Sequence, residues 1–184
     1  AMTGDGVNDV LALREADCSI AMASGSSVAC QASHIVLLDS DFSAMPSVVA
    51  EGRRVINNIE RSASLYLVKN IFSFFLAFFT LFATLPYPFS PAQLTLVSAV
   101  TIGIPSFVLA MEPNESLVKG KFLRNVLFRA LPAAMTDLAM VVGILLFYIA
   151  FHLDDTAMIT ICTGVMGIVG LMMVHRTCQP YNTI

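Results

Sequence analysis

Residues 2–17, M-T-G-D-G-V-N-D-V-L-A-L-R-E-A-D, set the carboxylates of Asp5 and Asp9 among glycines, just ahead of an apolar helical pattern. Glycine lets backbone turn tightly and approach a ligand closely. The start of a helix favours an anion. Small, hard Mg²⁺ takes one or two carboxylates, keeps waters, and shares its other positions with phosphate oxygens. Asp5 in the turn and Asp9 one helical turn on can both face such a site, with Asn8 able to donate to a phosphate oxygen. A plainer role fits the same residues equally: an Asx-type turn that caps the helix.

Working outward, the pattern through residue 43 is α/β. A short helix runs to about Ala16, C-S-I-A-M-A reads as a short buried strand, S-S-V-A-C-Q-A-S as one or two helical turns, and H-I-V-L-L as a second strand. Ser43 and Pro46 then make a helix start. No strong breaker follows before Pro86, apart from Gly52. Val48, Val55, Ile59 and Ala63 form a stripe with Arg53, Arg54, Asn57 and Glu60 between them. This predicts one helix of about 40 residues, a stalk over 44–64 that runs on into a membrane span.

Beyond residue 64 the composition changes. The 184 residues are 57% hydrophobic and only 12% charged, against roughly a quarter charged in ordinary globular proteins. Four runs reach the length of a membrane helix, roughly 65–85, 93–111, 130–151 and 157–174. They predict an α-helical membrane domain over 65–176 and a tail over 177–184. Every Lys and Arg falls on one side of these spans, from Arg53, Arg54, Arg61 and Lys69 to Lys119, Lys121, Arg124, Arg129 and Arg176. By the positive-inside rule that side is the cytoplasm, which places residues 1–64 there and makes the chain a multi-pass protein of the cell membrane. The net charge of −3 gives no reason to expect nucleic acid, and Cys18, Cys30, Cys162 and Cys178 have no metal-ligand spacing. The chain lacks an initiator Met and an apolar leader, so a fragment is expected.

The opening string resembles the hinge motif of P-type ATPases, in their haloacid-dehalogenase-like phosphorylation domain. S-I-A-M-A-S-G-S-S-V-A-C-Q-A-S-H-I-V-L-L-D-S-D-F is similar to the strand–helix–strand that follows it in that family, and Y-L-V-K-N stands where the family's fifth membrane helix begins. The resemblance is strong over about 1–115 and topological beyond. It implies an α/β fold over 1–43, the C-terminal part of the phosphorylation domain, followed by a four-helix membrane bundle. It also implies an ATP-driven cation pump that works through an aspartyl-phosphate. Asp5 matches the carboxylate that binds catalytic Mg²⁺, Asn8 and Asp9 the pair that positions the phosphate and supports that site, and Thr3 and Gly4 the adjoining loop. ATP is the implied substrate. No D-K-T-G-T nucleophile motif, T-G-E motif or nucleotide-binding domain occurs here. These 184 residues alone are therefore expected not to hydrolyse ATP.

In the family's calcium and sodium pumps, the helices matching the first two spans carry acidic and amide ion ligands. Here the first span offers Lys69, Asn70, Ser73 and Thr80 but no acid, and the second reads L-V-S-A-V-T-I-G-I-P. Ser98 and Ile102 stand where the family commonly has Asn and Asp, while Thr101 and Pro105 keep a hydroxyl and a helix-disrupting proline. Gly103 and Pro105 can free carbonyls for an ion, or mark an ordinary kink satisfied by neighbours. Ser98 and Thr101 fit interhelical hydrogen bonds as well as ion contact. Asp137, the only acid well inside a span, fits an ion or proton contact, or a helix-end pair with Arg129. Lys69 reads as snorkelling. Gly164, Gly167 and Gly170 read as close helix packing, and the methionines of the last span as lipid-facing filler rather than a copper site.

L-T-L-V-S-A-V-T-I-G-I-P-S-F followed by E-P-N is most similar to a bacterial subgroup linked to calcium transport. Two other classes remain beside the pump: a passive channel or transporter with a cytosolic regulatory domain, and a membrane-anchored phosphatase of the same superfamily. The phosphatase needs one anchor, and the channel has no use for Asp5 and Asp9.

Overall fold

The structure, a computed structural model, describes residues 1–85, 87–152 and 154–179. It divides into two compact units, Ala1–Gly52 and Arg53–Ile184.

In the first unit, strand β1 (Met2–Gly4) leads through a 3-10 turn at Val7–Asp9 into helix α1 (Val10–Glu15). Strand β2 (Ser19–Met22), helix α2 (Ser27–Ala32) and strand β3 (Ile35–Leu37) follow. The three strands are parallel in the order β1-β2-β3, with Thr3 opposite Ile20 and Ile20 opposite Ile35. Parallel neighbours require crossover connections, which α1 and α2 provide. Leu13, Ile20, Ala21, Ala29 and Leu37 are buried between these layers. Ser26 caps α2, its Oγ accepting the Ala29 N–H at 3.1 Å. Buried Ser19 is satisfied by His34, whose Nδ1 lies 2.7 Å from its Oγ and whose backbone N–H donates to that Oγ at 3.1 Å.

Helix α3 (Met45–Ala83) is 39 residues long and unbroken. Its lead-in differs from the sequence reading. Asp41, not Ser43, caps the turn ahead of it, accepting the Ser43 N–H at 2.8 Å. Hydrogen bonds from the Ser43 hydroxyl and, secondarily, its N–H hold the Asp41 carboxyl below its usual range. The helix runs through residue 64 without a break.

The second membrane stretch consists of α4 (Pro91–Ser98), a π-helical turn at Ala99–Gly103, and α5 (Ile104–Met111). Helices α6 (Phe122–Phe151) and α7 (Asp155–Thr177) complete the unit. Four stretches, Phe42–Ala83, Pro91–Met111, Phe122–Phe151 and Asp155–Thr177, are long and apolar enough to cross a membrane. Leu65, Val68, Phe72 and Leu76 recur at helical spacing along α3 and pack with Ala130, Ala134, Val141 and Leu145 of α6 and Met158, Cys162 and Met166 of α7. Only 22–28% of the most apolar window of each stretch is buried. Phe74, Phe78, Phe82, Leu146 and Leu171 face outward, and surfaces of this kind call for hydrocarbon around them. The chain is a multi-pass membrane protein.

Among Gly164, Gly167 and Gly170, only Gly170 makes the close approach expected of all three. A β-carbon there would lie 2.7 Å from Thr101 Cγ2, whereas the other two have open space within 4 Å. The expected tail at 177–184 is described as far as Gln179, and its last residues lie outside the described residues.

Candidate functional site

Two groups of polar residues stand out, one in each unit. The first is the turn after β1. In parallel α/β sheets ligands sit beyond the carboxyl ends of the strands, and Asp5 immediately follows the last residue of β1. The Asp5 carbonyl accepts the Ser26 N–H at 2.7 Å, which ties this turn to the start of α2. Gly25 lies so close that a β-carbon on it would meet that same carbonyl at 2.5 Å. With its backbone clamped, the Asp5 side chain is exposed, as are Thr3 and Asn8.

Asp9 behaves differently. Its Oδ2 accepts the N–H groups of Asp5 at 3.2 Å and Gly6 at 3.1 Å. Gly4 is needed beside it, since a β-carbon at Gly4 would fall 2.7 Å from Asp9 Cβ. One Asp9 oxygen therefore closes the turn, and the carboxylate that remains open is Asp5. The structure brings Gly4, Asp5, Asn8 and Asp9 into one turn, with Thr3 just before it in β1. Among the described residues no group of three or more His, Cys, Asp or Glu could hold a metal. A small donor set of this kind suits Mg²⁺, which fills its shell with water and phosphate oxygens, better than a cation needing an all-protein cage.

The second group lies within the helices. Lys69, Ser98, Thr101 and Asp137 line one small cavity of about 30 Å³, walled otherwise by residues such as Leu65, Val68, Ile102 and Met166. Asp137 is 2% exposed, and its Oδ1 has no hydrogen-bond partner. The proposed helix-end pair with Arg129 does not form, because Arg129 reaches Glu60 at 3.5 Å instead. Ser98 and Thr101 donate their hydroxyl protons to the carbonyls of Leu94 (2.6 Å) and Val97 (2.8 Å), leaving oxygen lone pairs free to accept. Asn70 is exposed and does not line this cavity.

The π turn passes beside it. The Ile104 N–H bonds to Ala99 O, five residues back, instead of Val100 O. Pro105 has no N–H to offer as a replacement, so the Val100 carbonyl loses both its α and its π donor. Turns of this kind inside a helix recur at functional sites.

A third set escaped the sequence reading. The segment after α5 is pinned to α3 by Asn58, which donates to Glu112 O at 2.8 Å, and by Asn57, which donates to Ser116 O at 2.8 Å. Arg61 pairs with the Glu112 carboxylate, and Asn125 donates to Glu60 at 3.2 Å. The available signal was the E-P-N string together with polar residues facing the interior side of an otherwise apolar helix.

No family model matches the chain. Among curated proteins it is 41% identical over 190 positions to the probable cation-transporting ATPase exp7 of Streptococcus pneumoniae, covering 99% of this chain and 24% of that protein. It is 47% identical over 145 positions to the calcium-transporting ATPase CtpE of Mycolicibacterium smegmatis, 73% of this chain and 18% of that one. With a calcium-transporting ATPase of Bacillus subtilis the identity is 34% over 160 positions, 83% of this chain and 18% of the relative. The chain thus spans about a quarter or less of the length of these relatives.

Proposed function

Over the stretch it shares with these relatives the chain belongs to the P-type cation-transporting ATPases, and from that premise we propose that it supplies the Mg²⁺-binding hinge and four transmembrane helices of an ATP-driven cation pump. The observation that carries this reading is the exposed Asp5 carboxylate beyond the end of β1, its backbone clamped by the Ser26 N–H and by Gly25.

In this reading Asp5 is the chain's direct Mg²⁺ ligand. Asp9 supports it from behind, holding the Asp5 and Gly6 amides with one oxygen and adding negative charge to the site. Thr3 and Gly4 border the phosphate, with Gly4 leaving room for Asp9, and Asn8 donates to a phosphate oxygen. The metal, when bound, offsets charge that builds on the phosphoryl oxygens during transfer from ATP to an aspartate and during hydrolysis. The remaining contribution of these residues is positioning: a carboxylate on clamped backbone needs little reorganisation as the reaction proceeds. The hinge turn and residues through 64 lie in the cytoplasm, on the side of the basic loops.

The transported species is a cation, and the calcium transport named for two of these relatives makes Ca²⁺ the first to test. Ser98, Thr101 and Asp137 are the proposed contacts within the helices, supported by their meeting at one cavity. Asn70, exposed and away from that cavity, gains no such support.

The test is ATPase activity of the full-length protein in membranes against a panel of Ca²⁺, Mg²⁺, Mn²⁺, Na⁺ and K⁺, repeated with Asp5→Asn. Cation-stimulated hydrolysis abolished in Asp5→Asn is the expected result. Equal activity in the variant would remove Asp5 from the chemistry.

A further inference from the structure

Burying an ionised carboxylate among apolar side chains is costly unless a cation faces it. Asp137 is in that position: 2% exposed, one oxygen unpartnered, and lining a cavity of about 30 Å³. A space of that size admits a water molecule, a small ion or a single terminal group.

Arg61 pairs with Glu112 and Arg129 with Glu60. Lys69 alone among the basic residues lines the cavity with Asp137, and the two form no ion pair here. Lysine carries a compact ammonium on a flexible four-carbon stem. It can hold that ammonium out toward the membrane boundary or place it in the cavity.

We propose that the Lys69 ammonium and a transported cation alternate as the counter-ion of Asp137 in this cavity. Such an ion would be held by the Asp137 carboxylate and by the Ser98 and Thr101 oxygens, whose protons are already directed to backbone carbonyls. When that cation departs, the ammonium takes its place as the partner of the carboxylate. Lys69 is thus an internal competitor for the cargo. The cation-exchange half of this inference rests on the pump reading. The pairing half does not.

The experiment uses the full-length protein with Lys69→Met, Asp137→Asn and the double variant, with Lys69→Arg as a charge-retaining control. Thermal unfolding of the detergent-solubilised protein in a chelator tests the pairing. Either single neutralisation should lower the midpoint, the double variant should recover most of the loss, and Lys69→Arg should stay nearest the wild type. Additive losses overturn the pairing.

Half-saturating Ca²⁺ and Mn²⁺ for ATP hydrolysis test the exchange. Lys69→Met should shift half-saturation for the transported cation to roughly tenfold lower concentration, within the usual range of coupling between sites. That shift should vanish in the Asp137→Asn background. An unshifted Lys69→Met, or the same shift without Asp137, overturns the exchange. A wild-type protein whose hydrolysis no cation stimulates would defeat the pump reading instead, and the unfolding cycle would still decide the pairing.

Discussion

The carbonyl oxygen of Asp5 fills the space that a side chain on Gly25 would need, 2.5 Å from where its β-carbon would sit. Both partners are backbone, and the Ser26 N–H holds the same oxygen at 2.7 Å, so neither can retreat as a flexible side chain would. Gly25→Ala should therefore cost about 1–3 kcal/mol of stability, the usual penalty for overpacking. It should also move Asp5 and raise the Mg²⁺ concentration needed for phosphorylation by ATP. Gly52→Ala, which meets open space within α3, should instead gain roughly 0.5–1 kcal/mol. Thermal unfolding and a Mg²⁺ titration of the full-length protein check both.

Asp9 poses a question that substitutions can separate. Its Oδ2 accepts two backbone N–H groups, a capping role that an amide oxygen can partly fill. Asp9→Ala should destabilise by about 1 kcal/mol, as loss of a cap does, and Asp9→Asn by less. Should its charge also support the Mg²⁺ site, phosphoenzyme turnover will fall in both variants. Full turnover in Asp9→Asn would confine Asp9 to the turn.

What was legible in advance depended on range. The α/β start and the membrane helices follow from local patterns, such as Leu65, Val68, Phe72 and Leu76 recurring on one helical face. The disturbance near Gly103 and Pro105 was visible too, since a missing N–H is a property of one residue. Its form was not. The five-residue register at Ala99–Gly103 occurs where Thr101 packs against Gly170, a residue far along the chain. Lys69 and Asn70 illustrate the same limit. Successive residues on a helix point about 100° apart, and only packing reveals that Lys69 reaches the cavity while Asn70 does not. Asp137 was recognisable as costly, but its freedom from Arg129 required knowing that Glu60 takes that arginine.

The glycines of α7 give a graded test of helix packing. Gly170→Ala would push a carbon to within 2.7 Å of Thr101 Cγ2, and it should cost about 1–3 kcal/mol and disturb the π turn. At Gly164 and Gly167 nothing lies within 4 Å, so alanine should be neutral or stabilising by up to roughly 1 kcal/mol. Thermal midpoints of the three single variants will rank the sites. Equal losses at all three would mean that other helices of the full-length protein cover the remaining two.

The Arg61–Glu112 pair supports the segment that joins α5 to α6. The side chains are 7% and 18% exposed, and Asn58 donates to the Glu112 carbonyl alongside them. Breaking a buried pair from one side leaves the other charge without its partner, at a typical cost of about 3–5 kcal/mol. Glu112→Gln should approach the lower end of that range, because an amide oxygen still accepts from the guanidinium. Replacing both by Met should restore much of the loss, since the desolvation cost disappears with the charges. Thermal unfolding of the three variants at low and high salt checks this. A buried pair is screened little, so the ranking should persist at high salt, whereas a loss that disappears there would place the pair in water.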